Sequence, residues 1–169
     1  MPNLFSDKFC DNKIQMIAPL QPGIKAPAFK AKDQDGNLIS LKDYLGKKVA
    51  LFFYPHDNTP TCTIEACNLR DNYSLLKSAG IEVIGISTDD EKSHKKFETK
   101  HQLPFTLIAD PEQKIVDAFG VWGLKKFMGK EFDGTHRTTF LIDENGVIKY
   151  VIEKVKSKEH ATQILELFK

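Results

Sequence analysis

The hydrophobic pattern of the chain changes period along its length. From Val49 to Tyr54 the residues VALFFY form one continuous apolar run closed by Pro55, which predicts a strand buried on both faces. IEVIGIS (Ile81 to Ser87) and FTLIAD (Phe105 to Asp110) read the same way. Between the first two strands, Cys62, Ala66, Leu69, Tyr73 and Leu76 recur at helical spacing on one face, predicting a helix from Cys62 to about Ser78 that Gly80 ends. Ser87 to Asp90 offers caps for a helix over Glu91 to Lys100, and Asp110-Pro111 opens a short helix to about Phe119.

Hairpins flank this alternation. AFKAKDQDGNLISL turns at Asp35-Gly36, where a type I′ turn is expected, and TTFLID with VIKYVI turns around Glu144-Asn145-Gly146. A Gly- and Lys-bearing loop precedes the second hairpin, and a helix over Lys158 to Phe168 closes the chain. Residues 1–22, polar with Pro19 and Pro22, read as an irregular leader before a single domain over 23–169. The order of hairpin, three βα units, hairpin and helix predicts an α/β domain compatible with a thioredoxin-like sheet, a layout that assigns no chemistry by itself.

Composition narrows the function classes. The 24 basic and 23 acidic side chains leave a net charge of +1, so no overall field draws the protein to nucleic acid or an anionic membrane. There is no apolar run of membrane-spanning length, and MPNLFSDKFCDNK lacks the basic-then-apolar layout of a secretory signal. The expectation is a soluble, cytoplasmic protein. In such a reducing compartment its three cysteines point to catalysis or metal binding rather than to a disulfide framework.

Two of the cysteines stand five residues apart in HDNTPTCTIEAC. Thr59 is a candidate N-cap and Pro60 the first helical residue, so Cys62 falls in the first turn, where unpaired N–H groups and the helix dipole favour a thiolate. On an ideal helix Cys67 is rotated by about 140° from Cys62 with its Cα about 8–9 Å away. A disulfide needs about 7 Å or less, so this pair bonds only after the helix opens. The alternative leaves Cys62 a small capped hydrophobe and Cys67 a surface residue.

FFYPHDNTPTCTIEACNLRD resembles the active-site segment of the peroxiredoxins, with Pro55, Thr59 and Cys62 at the P-x-x-x-T-x-x-C positions. The second cysteine, Cys67, is similar to the bacterioferritin comigratory protein and peroxiredoxin Q branch, and GVWGLKKFMGKEFDGTHRTTFLID looks like the segment that supplies that branch's active-site arginine, here Arg137. The resemblance runs from about Gly23 to the carboxyl terminus. It implies a thioredoxin-like fold, a three-layer α/β/α arrangement with a mixed sheet and an amino-terminal β-hairpin addition. It further implies a monomeric peroxidase without metal or cofactor. In that mechanism Cys62 attacks a hydroperoxide, Thr59, the Cys62 N–H and Arg137 stabilise developing charge, and Pro55 shields the pocket. Cys67 resolves the sulfenic acid to an intrachain disulfide, and thioredoxin or a similar dithiol reduces it.

Other residues carry competing readings. Glu65, one turn from Cys62, either orients Arg137 through a bidentate pair or only complements the helix dipole. A zinc set of His56, His136, Cys62 and Cys67 lacks ligand spacing and would block the nucleophile. The histidines are placed in polar loops, with His136 adding positive potential beside Arg137. Lys125, Lys126 and Lys130 with Trp122, Phe127 and Phe132 read as a solvated loop with aromatics over the pocket rim rather than a nucleic-acid patch. Asp89, Asp110 and Asp143 are read as helix caps and turn formers, and Cys10 as incidental. Rival functions are a general thiol-disulfide oxidoreductase, disfavoured by the absence of CxxC, and a redox sensor or holdase that opens on oxidation.

Overall fold

The computed structural model describes residues 18–168; Cys10 and most of the leader lie outside them. The first hairpin pairs β1 (Lys30–Lys32) with β2 (Leu38–Ser40). The central strand β3 (Lys48–Phe53) leads into α1 (Pro60–Asp71), α2 (Tyr73–Ser78) and β4 (Ile81–Ser87). Next come α3 (Glu91–His101), β5 (Thr106–Ala109) and α4 (Lys114–Ala118). A ribbon of β6 (Trp122–Phe127) and β7 (Lys130–Thr135) precedes β8 (Thr138–Ile142), β9 (Ile148–Ile152) and α5 (His160–Leu167).

The main sheet runs β5-β4-β3-β8-β9. β3 pairs in parallel with β4, Leu51 against Ile84, and antiparallel with β8, Leu51 against Phe140. Alternation along β3 sends Ala50, Phe52 and Tyr54 toward Cys62, Ala66, Leu69, Phe97 and Ile164 of α1, α3 and α5. Val49, Leu51 and Phe53 face the other way, toward Ile115, Val116 and Phe119 around α4 and Phe29 of the hairpin segment. Both faces are covered, as the unbroken VALFFY run requires, and this is the expected mixed-sheet, thioredoxin-like architecture. Gly85 lies opposite Phe52; a Cβ there would stand 2.7 Å from the Phe52 ring.

Several local expectations need correction. The helix expected from Cys62 to Ser78 is interrupted at Asn72, whose side-chain amide donates to the Asn68 carbonyl at 2.9 Å and competes with the helix ladder. The turn at Asp35-Gly36 is not type I′, because only Gly36 has positive φ there. The Asp33 carboxylate instead accepts from the N–H groups of Asp35 and Asn37, closing a three-residue loop. Asp143 closes the Gly146 turn in the same way, through Asn145 and Val147. α4 starts at Lys114 rather than Asp110, since Gln113 is left-handed at φ 62°. Asp110 still caps it, accepting from Ile115 and Val116. The Gly- and Lys-bearing loop is the β6–β7 ribbon. Residues 18–22 are irregular, as expected, and touch the domain through Pro19 and Leu20: the Leu20 N–H donates to the Phe119 carbonyl at 3.2 Å, and Ala18 sits too close to Gly120 for any Cβ there.

Candidate active site

Thr59, in extended conformation, and Pro60 at the first helical position start α1, and Cys62 enters on its buried side, 1% exposed. The first backbone bond of the helix runs from Thr63 N–H to the Thr59 carbonyl, which leaves the Cys62 N–H without an intrahelical acceptor. The Thr59 hydroxyl donates to the His56 carbonyl at 3.2 Å rather than capping the helix or meeting the sulfur. The side-chain cap, worth about 1 kcal/mol in most helices, is therefore unused. Pro55 is half-buried between the end of β3 and this loop.

Arg137, in the link between β7 and β8, is brought to the same point. Its Nη2 donates to Cys62 Sγ at 3.2 Å and its Nη1 to Glu65 Oε1 at 2.6 Å. The arginine thus bridges the thiol and a fully buried carboxylate one turn along α1. The Glu65 contact is single and not the expected bidentate fork. The second oxygen is turned toward His160 Nδ1, 3.1 Å away but off the line of a hydrogen bond, and His160 Nε2 meets the Thr139 hydroxyl at 2.8 Å. Burial opposes charge on Arg137, yet Glu65 and Cys62 outweigh it and raise its pKa above the ordinary guanidinium value.

The loop carrying Pro55 to Thr59 is held from behind through Asp57. Its carboxylate accepts from Tyr54 Oη at 2.7 Å, Ser93 Oγ at 2.8 Å and His94 Nδ1 at 2.8 Å, while its N–H donates to Asp89. His94 Nε2 meets the Ile108 carbonyl at 2.9 Å. Burial works against protonation of His94, but Asp57 and that carbonyl leave its pKa raised. Asp89 is thus a loop anchor, not a helix cap; Asp90 caps α3 through the Ser93 N–H. Asp57, Asp89 and His94 form the one grouping of three possible metal ligands among the described residues, and the set of His56, His136, Cys62 and Cys67 that the spacing already disfavoured is not that grouping. Each of the three already holds hydrogen bonds within the network.

His94 and His160 correct the placement of histidines in polar loops: both are fully buried on helices. The spacing of His94 and Phe97 on α3 marks an inward face, a usable sequence signal; nothing local marks the Glu65–His160 contact, between residues far apart in the chain. His136 spends Nε2 on the Leu124 carbonyl at 3.0 Å. Lys125 is half-buried, donating to the Thr135 carbonyl at 2.9 Å, and burial followed by the nearby Arg137 charge lowers its pKa. Lys126 pairs with Glu131 across the ribbon at 3.5 Å, so the charge on the ribbon is mixed. Phe132 is exposed and Trp122 packs toward the α4 side of the core, contrary to a cover of aromatics over the pocket.

Cys67 lies on the same unbroken helix as Cys62, and both are free thiols. Cys67 is partly exposed, with Sγ 4.0 Å from His101 Nδ1. The intact helix keeps the two cysteines apart, as their spacing requires.

Residues 22–151 match the AhpC/TSA family. The chain is 46% identical over 151 residues to the peroxiredoxin Bcp of Escherichia coli (strain K12), covering 89% of this chain and 97% of that protein. It also resembles peroxidoxin BcpB from Mycobacterium tuberculosis, with a TM-score of 0.78 and 31% identity over 88% of this chain and 96% of that one. The Xanthomonas campestris bacterioferritin comigratory protein, described for its alkyl peroxide reduction activity, gives a TM-score of 0.79 at 28% identity, covering 90% and 97% of the two chains. By fold and by sequence the chain belongs to the AhpC/TSA family as a Bcp-type peroxiredoxin, a thiol peroxidase.

Proposed function

We propose that Cys62 reduces hydrogen peroxide and organic hydroperoxides, that Cys67 resolves the product to an intrachain disulfide, and that thioredoxin or a similar dithiol restores both thiols. The observation that carries this reading is the Arg137 guanidinium, set 3.2 Å from Cys62 Sγ and locked by Glu65. The Cys62 thiolate attacks the terminal oxygen of the peroxide; the S–O bond forms as the O–O bond breaks. The sulfur becomes a sulfenic acid, and the departing alkoxide or hydroxide takes a proton. Negative charge moves from sulfur to oxygen, and the Arg137 and Cys62 N–H donors follow it without reorganising. Thr59 joins them once its hydroxyl swings from the His56 carbonyl, and Pro55 shields the pocket.

Resolution needs the start of α1 to unwind. The unused Thr59 cap lowers the cost of opening, while the Glu65–Arg137 pair opposes it until the thiolate is consumed. No metal or cofactor takes part in any step, and the protein acts as a cytoplasmic monomer. In Cys67→Ser, one peroxide is consumed per chain and excess peroxide drives Cys62 to sulfinic acid; Cys62→Ser is inert. Equal peroxide consumption by the two variants overturns the assignment of roles.

A further inference from the structure

We propose that His101 is the general base for Cys67, accepting its thiol proton so that the thiolate can attack the Cys62 sulfenic acid. This rests on the reading of Cys67 as the resolving residue. His101 ends α3 and presents Nδ1 4.0 Å from Cys67 Sγ, at the outer limit of an S–H···N contact and a distance that a small side-chain rotation shortens. Phe97 holds the ring edge-on, with centroids 5.3 Å apart. Arg70 of α1 donates to the His101 carbonyl at 2.7 Å and so ties the two helices together beside the thiol.

The contact survives the opening of the helix. From Asn68 onward α1 is pinned: Asn68 donates to the Lys158 carbonyl at 2.8 Å and accepts from the Ala161 N–H at 2.9 Å, and Leu69 is fully buried. The unused cap lies at the other end, beside Cys62. Unwinding therefore starts at the first turn and carries Cys62 toward Cys67, which stays beside His101.

The electrostatics suit a base. Burial, then Lys100 on the same helix and Arg70 on α1, lower the imidazole pKa, so His101 is neutral at pH 7 and free to accept a proton. Arg70 is itself paired with Asp71 at 3.0 Å. Beside two cations the imidazolium gives its proton up readily. The balanced step follows: the Cys67 proton passes to His101 Nδ1, the thiolate forms the S–S bond as the S–O bond of the sulfenic acid breaks, and the departing hydroxide takes the proton from imidazolium and leaves as water.

The test is His101→Gln, with the disulfide step timed by acid quench and intact mass after one equivalent of hydrogen peroxide. The variant should form the disulfide about tenfold more slowly than the parent at pH 7, with a rate that climbs about tenfold per pH unit and meets the parent near pH 8. The parent should be nearly flat above pH 6.5. Slowing by one factor at every pH indicates a structural effect and overturns the proposal, as does an unchanged rate. Peptide mapping of the parent separates the two readings. If Cys62 and Cys67 do not bond, the resolving role itself fails; if they bond and the variant keeps the parent's pH profile, only His101 is rejected.

Discussion

Replacing Arg137 by methionine removes two interactions with separable consequences. The first is the Nη2 donor 3.2 Å from the sulfur, which in the proposed mechanism follows charge onto the peroxide oxygens as the O–O bond breaks. Loss of one preorganised donor of this kind costs about 2.7–4 kcal/mol in the transition state, a factor of about 10²–10³ in rate. The second is the partner of Glu65, a carboxylate that is 0% exposed. Stranding a buried charge costs about 3–5 kcal/mol of stability, and His160, off the hydrogen-bond line, compensates little. Adding Glu65→Gln removes the stranded charge. The double variant should regain most of the stability in urea unfolding of the reduced protein and none of the rate in stopped-flow single-turnover oxidation. An Arg137→Met rate within threefold of the parent, or recovery of rate in the double variant, refutes the reasoning.

Two further outcomes follow from the packing and the network behind the loop. Gly85→Ala places a Cβ 2.7 Å from the Phe52 ring and 3.0 Å from Leu107, and should destabilise the fold by about 1–3 kcal/mol in urea unfolding; an unchanged midpoint contradicts the packing described. The folded pKa of His94 is raised, so its contribution to stability is fully present below the unfolded value near 6.5 and is lost as pH rises through the higher folded value. The parent should therefore lose more stability between pH 6 and 9 than His94→Gln, and parallel pH profiles for the two proteins would count against the Asp57–His94 pair.

The strands and the active-site helix were legible because their signals are local: VALFFY needs two covered faces, and T-P-x-C starts a helix with its thiol in the first turn. The interruption at Asn72 was less visible, since an asparagine amide can face solvent or the carbonyl four residues back at equal sequence cost. The ribbon at Trp122 to Thr135 was missed because Lys125, Lys126 and Lys130 dilute its alternation, and cross-strand pairs such as Lys126 with Glu131 exist only after folding. The resemblance located Arg137, and its geometry on Cys62 fits that reading. His160 behind Glu65 and His94 behind Asp57 come from the far ends of other elements, and only tertiary structure joins them. Thr59 shows the opposite limit, since its position was legible while the direction of its hydroxyl was not.

The central claim is a thiol pair that is separated in one helix and joined on oxidation. Intact mass and peptide mapping of the reduced protein after one equivalent of hydrogen peroxide test it most directly. The expected result is a rapid loss of two hydrogens mapped to a Cys62–Cys67 bond. A Cys62 that remains a thiol, or that pairs with Cys10, contradicts it.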